Sequence, residues 1–184
     1  LTPEQLELVV GYCAMNSNSL AQAREAIKLP RCRYDMDLSW GAYTLLPHLA
    51  KLKALARLAV FESLLITNEF VTRISTVTGL AHTLDTEPLL ISKLVRIAML
   101  NMAVTALEYR LNIGGLSDDE LSRLNTLFAN SVRTNQMADG LIGERAMMIP
   151  YFRMSMAEIN RLADSSEDNF DAHAGPPLPG SQPI

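Results

Sequence analysis

The sequence predicts an all-α fold of six or seven helices, arranged as antiparallel helical hairpins in a bundle or a short tetratricopeptide-like solenoid. Three observations carry that expectation. Apolar residues recur every three or four positions through most of the chain, the period of a helix face. Capping boxes and prolines mark the starts of those periodic stretches. No segment reads convincingly as a strand.

A chain of 184 residues suits one domain. Residues 1–163 are expected to form it, and 164–184, acidic and then rich in proline and glycine, to form a disordered tail or linker. Hydrophobic residues make up 48% and charged residues 20%, a globular composition. A formal charge of −4 argues against nucleic acid as a partner. No uninterrupted apolar run reaches the roughly 18 residues of a membrane span, so none is expected. The chain begins at Leu1 rather than methionine, and a preceding segment is expected to be missing.

The first helix opens at TPEQL, where Thr2 is the N-cap, Pro3 the first helical residue and Gln5 the closing member of a capping box. It should run towards Lys28, with a break at the polar NSNS of 16–19, and Pro30 stops it. Residues 30–46 lack periodicity. Pro47 opens a second helix with Leu49, Leu52, Ala56, Ala59, Val60, Ser63 and Leu64 on one face, turning a corner at 68–70.

VTRISTVT at 71–78 has the β-branched composition of a strand. Val71, Ile74, Val77, Ala81 and Leu84 nevertheless follow a helical period, and the period decides for helix. Pro88 opens the strongest helix, 88–113, which at 1.5 Å per residue spans roughly 39 Å. Ile91, Leu94, Val95, Ala98 and Met102 mark one of its apolar faces. Leu90, Ile97, Leu100, Val104, Leu107 and Leu111 mark another, so it is expected to be the central helix. Gly114 and Gly115 end it. SDDE at 117–120 caps a helix carrying Leu121, Leu124, Leu127 and Phe128. A further helix is expected over 136–149, and SMAE at 155–158 starts a short last one.

The chain has no phosphate-binding glycine loop, zinc-protease motif, C-x-x-C pair or nucleophile elbow. Nothing calls for a cofactor or a metal. Cys13 and Cys32 fit two small buried thiols, with a single disulfide as the alternative. His82 lies three residues before Asp85 on one helix face, a pairing found both in catalytic bases and in ordinary surface pairs. His48 beside Pro47 suits a neutral, hydrogen-bonded histidine at a helix start. Glu108 is expected to pair with Arg96 or Arg110. Met137, Met147, Met148, Met154 and Met156, with Tyr151 and Phe152, suit core packing of the last helices, or an adaptable docking patch.

LPRCRYDMDLSW at 29–40 stands apart. Arg31 and Arg33 with Asp35 and Asp37 can neutralise each other, while Tyr34 and Trp40 can pin the loop to the helices as a strap. A ligand or partner site there would draw on Arg31, Arg33, Asp35, Trp40, His48, His82 and Arg96. No catalytic residue can be assigned.

The run from LPRCRYDMDLSW to VFESLL, then EPLLISKLVRIAMLNMAVTALE and GLSDDEL, resembles a family of helical proteins of planctomycete and verrucomicrobial bacteria, over roughly residues 29–145. The recognisable pieces are RCRY, LPHLAKL and EPLLISKLVRI; Asp35 stands where a proline commonly follows the tyrosine. The resemblance implies export or an N-terminal membrane anchor, with the domain in the periplasm, and assigns no activity. The resulting expectation is a non-enzymatic helical scaffold binding another protein or itself, with a small-ligand-binding protein or enzyme, its pocket near the 30–46 loop, as the alternative.

Overall fold

A computed structural model describes residues 2–38, 44–149 and 151–161. These are helical and irregular throughout, with no strand among them. They fall into two compact units, one of 2–35 with 46–144, the other of 36–38, 44–45, 145–149 and 151–161. The expected tail at 164–184 lies outside the described residues.

The first unit holds α1 (Pro3–Met15), α2 (Ser17–Ala26), α3 (Pro47–Leu65), α4 (Phe70–His82), α5 (Leu90–Ile113), α6 (Asp118–Ala129) and the first part of α7 (Gln136–Met148). Thr2 and Gln5 form the reciprocal capping box of α1, and Ser117 and Glu120 that of α6. The expected break in the first helix falls at Asn16, whose side chain bonds back to the Tyr12 carbonyl at 2.8 Å. A short 3₁₀ turn, Thr67–Glu69, makes the corner between α3 and α4.

The core is the mutual packing of α3, α4 and α5, with α1 and α2 laid against it and α6 against α4. The β-branched stretch is helical because its large side chains share one inward arc. Phe70, Ile74 and Val77 are fully buried beside Leu80 and Ala81. Each such burial stabilises the fold by about 1.5–3 kcal/mol, more than the small helix-propensity deficit of valine, isoleucine or threonine.

α4, not α5, is the central helix. Eight of its 13 residues are buried, against seven of 24 in α5. Of the eleven apolar positions expected to bury α5, Ile91, Leu94, Ile97, Val104 and Leu111 are exposed, and Val95, Leu100, Met102 and Leu107 are only partly buried against the core. Its inward face is instead Ser92, Lys93, Arg96, Met99, Ala103, Ala106 and Arg110. Small residues there let α5 approach α3 and α4 closely, and three long cations fill the remaining space. α5 does meet the length and mean hydropathy of a membrane-crossing helix, which a count of uninterrupted apolar residues does not detect; one third of that window is buried inside the unit.

α7 reaches α5 through glycines. Gly140 lies against the backbone of Leu90, and Gly143 against Pro88, where a Cβ would collide with the Pro88 carbonyl oxygen. Glu144 then accepts the Leu90 backbone N–H at 3.1 Å and so caps the start of α5.

In the second unit a 3₁₀ turn spans Tyr151–Arg153, and Ser155 and Glu158 exchange the bonds of the third capping box ahead of helical residues 156–161. Phe152 and Met156 are exposed here, as is Met137 in the first unit, so core packing of the methionine-aromatic group is not found.

Substituting Gly143→Ala should destabilise the chain by about 1–3 kcal/mol, the usual cost of overpacking against something that cannot yield. Urea denaturation monitored by circular dichroism measures it; a variant as stable as wild type would rule out the close contact of α7 with Pro88.

Candidate functional site

The polar chemistry of the first unit gathers on the turn between α4 and α5. Residues 83–87 close it through successive short backbone bonds: Leu84 to Ala81, Asp85 to His82 and Glu87 to Leu84. The two acids serve different neighbours. Asp85 reaches α5 and the 131–136 connection, whereas Glu87 reaches the start of α3.

Asp85 is the hub of the first group. Its Oδ1 accepts Arg96 Nε at 2.5 Å and Gln136 Nε2 at 3.2 Å; its Oδ2 pairs with His82 Nδ1 at 3.1 Å and accepts Arg133 Nε at 3.3 Å. Burial alone would raise this carboxyl. The hydrogen bonds and charges of His82 and Arg96 outweigh it and hold Asp85 well below the usual carboxylate range. Arg96, only 3% exposed, also donates to the Ser131 carbonyl at 2.8 Å.

Lys93 lies beneath, 1% exposed, donating to the carbonyls of Leu84 at 3.1 Å and Asp85 at 2.6 Å. These follow the last turn of α4, where carbonyls lack helical partners and the dipole favours a cation. Burial pushes the Lys93 ammonium down from its ordinary value, with Asp85 and Asp139 opposing the shift.

His82 Nε2 lies 3.4 Å from Ser131 Oγ, so Ser131, His82 and Asp85 stand in the order of a hydrolase triad. The surroundings do not suit that chemistry. Ser131 is 4% exposed, and its hydroxyl donates to the Leu127 carbonyl at 2.9 Å, closer than to the imidazole. The carboxylate is already shared among four donors. The arrangement ties the end of α6 to the α4–α5 turn.

The second group contains His48, Tyr34, Thr83 and Glu87. His48 Nε2 contacts Glu87 Oε1 at 2.8 Å, and its ring stacks on Tyr34 with centroids 4.3 Å apart and planes at 12°. The Tyr34 hydroxyl donates to Thr83 Oγ1 at 2.9 Å. Burial pushes that phenol up to about 12; Cys32 and Glu87 add to the shift and the Thr83 bond opposes it. Tyr34 therefore stays protonated and pins the loop onto α3 and the turn.

Sequence reasoning thus finds a real cluster and misjudges its membership. His82 and Arg96 meet at Asp85, and His48 sits on the other acid of the same turn. Arg31, Arg33 and Asp35 are exposed and, among the described residues, have no ion pair; they do not neutralise one another. Trp40 lies outside the described residues. Glu108 is exposed, Arg96 turns to Asp85 and Arg110 to the carbonyls of Gly114 and Gly115, so the expected Glu108 pair does not form. Cys13 is buried, but Cys32 is exposed and both are free thiols. Lys93, Glu87 and Ser131 were missed. The available signal was DTEP at 85–88, two acids ahead of cations eight and eleven residues after Asp85 on an apolar helix.

A third polar group lies away from this turn, between α2, α3 and α4, where Glu62 is held by Arg24 at 2.7 Å and by Arg73. Comparison with known protein families, curated proteins and solved structures gives no match for this chain.

Two outcomes test the Asp85 cluster. Arg96→Met should destabilise the protein by about 1–3 kcal/mol, because it strips a partly buried carboxylate of its closest cation and leaves the Ser131 carbonyl without its donor; equilibrium denaturation measures it. The depressed Asp85 carboxyl stabilises the fold above the ordinary carboxylate pKa, and this contribution is lost as pH falls below it. Between pH 5 and pH 2, Asp85→Asn should therefore show a shallower loss of stability than wild type.

Proposed function

We propose that this chain is a non-enzymatic helical scaffold that binds a helix of another protein, or of a second copy, along the outward face of α5. The supporting observation is a stripe of six exposed residues, Leu94, Ile97, Asn101, Val104, Glu108 and Leu111, alternately three and four apart. That is the heptad spacing with which one helix receives another. Four of the six are apolar, and the opposite face, from Arg96 to Arg110, is already committed to the core.

The two polar members add specificity. An asparagine within such a seam fixes register at some cost in affinity, and a carboxylate selects a partner with a cation opposite it. Glu108 against itself would repel, which favours a different helix over a parallel copy of the same one. Enzymatic function has less support, since the triad-ordered set of side chains found among the described residues has a buried serine bonded to a backbone carbonyl. An extracytoplasmic setting rests on the family resemblance alone.

The test is sedimentation velocity, with chemical cross-linking in an extract of the source cells, on wild type and on Ile97→Lys/Val104→Lys. Association or a discrete cross-linked partner in wild type, lost in the variant at unchanged helicity, supports the reading. Identical behaviour of the two proteins in both measurements overturns it.

A further inference from the structure

α7 meets the start of α5 through Gly140 and Gly143. The arc opposite those glycines carries Ala138, Ile142, Arg145 and Ile149, alternately four and three apart and all exposed. Ile149 belongs to the arc because its N–H still bonds to the Arg145 carbonyl at 3.1 Å, which carries the helical path one residue past Met148. These positions follow from the helical register of α7 alone. Their spacing is that of a helix seated on another helix. Arg145 is the cation of the arc, and it has no ion pair among the described residues.

The stripe on α5 has the same spacing and one unmet requirement. Glu108 is exposed and has no ion pair among the described residues, so a helix lying over it has to bring a cation. A second α5 does not bring one. Parallel, it sets Glu108 on Glu108. Antiparallel, in the register that uses all six positions, it sets Glu108 on Ile97 and Asn101 on Val104, leaving polar groups without partners. α7 has what α5 lacks. Arg145 stands between Ile142 and Ile149 as Glu108 stands between Leu111 and Val104. Laid antiparallel, the two arcs meet as Val104 with Ile149, Glu108 with Arg145 and Leu111 with Ile142, an ionic rung between two apolar ones. Laid parallel, α7 would set Met148, half-buried on its own chain, opposite Leu111. The chain's own α7 touches α5 at Pro88 and Leu90 and leaves Val104, Glu108 and Leu111 uncovered.

We propose that α7 of a second copy occupies the α5 stripe, with Arg145 on Glu108, so that copies associate head to tail. The inference rests on the scaffold reading and names its partner. The contact joins two different faces, and each copy offers one of each. Association therefore runs past the dimer unless the geometry closes a ring. Three rungs make a small interface, so it forms only at high protein concentration.

Sedimentation equilibrium of the full chain should show a mass that rises with concentration past the dimer or stops at a closed ring. Two variants separate the faces: Val104→Lys/Leu111→Lys disables the stripe, and Ile142→Lys/Ile149→Lys disables the α7 arc. Each alone should be monomeric at the helicity of wild type, and an equimolar mixture should form a one-to-one dimer and nothing larger. Glu108→Arg and Arg145→Glu should each weaken association several-fold, and the two combined in one chain should restore it. A wild type that stays monomeric at every concentration, an α7 variant that associates as wild type does, or a combined swap no better than either single change would overturn the proposal. A foreign partner lost by the α5 variant and kept by the α7 variant would remove this inference and leave the scaffold reading in place.

Discussion

The structure depends on burying two cations in the first two turns of α5. Lys93 and Arg96 are among the least exposed residues of the chain, and neither can be there without oxygen atoms brought to it. The turn after α4 supplies them. Backbone carbonyls of 84 and 85 receive the ammonium, and the Asp85 carboxylate and the Ser131 carbonyl receive the guanidinium. Satisfying both cations at once fixes the angle at which α5 leaves α4 and the position of the connection that follows α6. The apolar core of α3, α4 and α5 then packs within a frame set by those bonds.

That constraint explains why α5 presents a greasy outer surface. A helix face that carries lysine and two arginines would ordinarily be assigned to solvent, and one rich in leucine and isoleucine to the core. Here the turn chemistry reverses the assignment. Hydropathy summed over the whole helix cannot detect the reversal, because it is an average over faces that differ in opposite senses. The exposed stripe is therefore a consequence of where the oxygens are, and its regular spacing makes it suitable for another helix.

Much of the architecture was legible in the residues. Thr2 with Gln5, Ser117 with Glu120 and Ser155 with Glu158 announce helix starts through bonds within four residues, so sequence suffices to read them. The 71–78 stretch was legible because its period outweighed its composition. The orientation of α5 was not, since it depends on partners 35 and 54 residues away, Ser131 for Arg96 and Glu144 for Leu90. The candidate site was half legible: proximity in sequence gave His82 with Asp85, and chain distance hid Glu87 beneath His48 and Tyr34 above it. The arginines of the 29–40 loop looked functional because they were clustered, yet clustering in sequence places side chains near one another without giving them a common target.

The helix ends divide the chain in a further way. α1 and α6 are closed by side chains of their own first turns, whereas α3, α4 and α5 have no side-chain cap of their own. α4 ends on its own turn, where the backbone N–H groups of 83–85 reach its last carbonyls, whereas α5 takes its start from another element, Glu144 accepting the Leu90 N–H. α1 and α6 thus carry their own punctuation, α2 has no side-chain cap although it too is peripheral, and α5 borrows its start. Excised as peptides, α1 and α6 retain the local signals that nucleate a helix, while α5 loses the cap that Glu144 provided. Autonomy in this chain follows the caps and not the distance from the core, so α1 and α6 are the helices best suited to a graft.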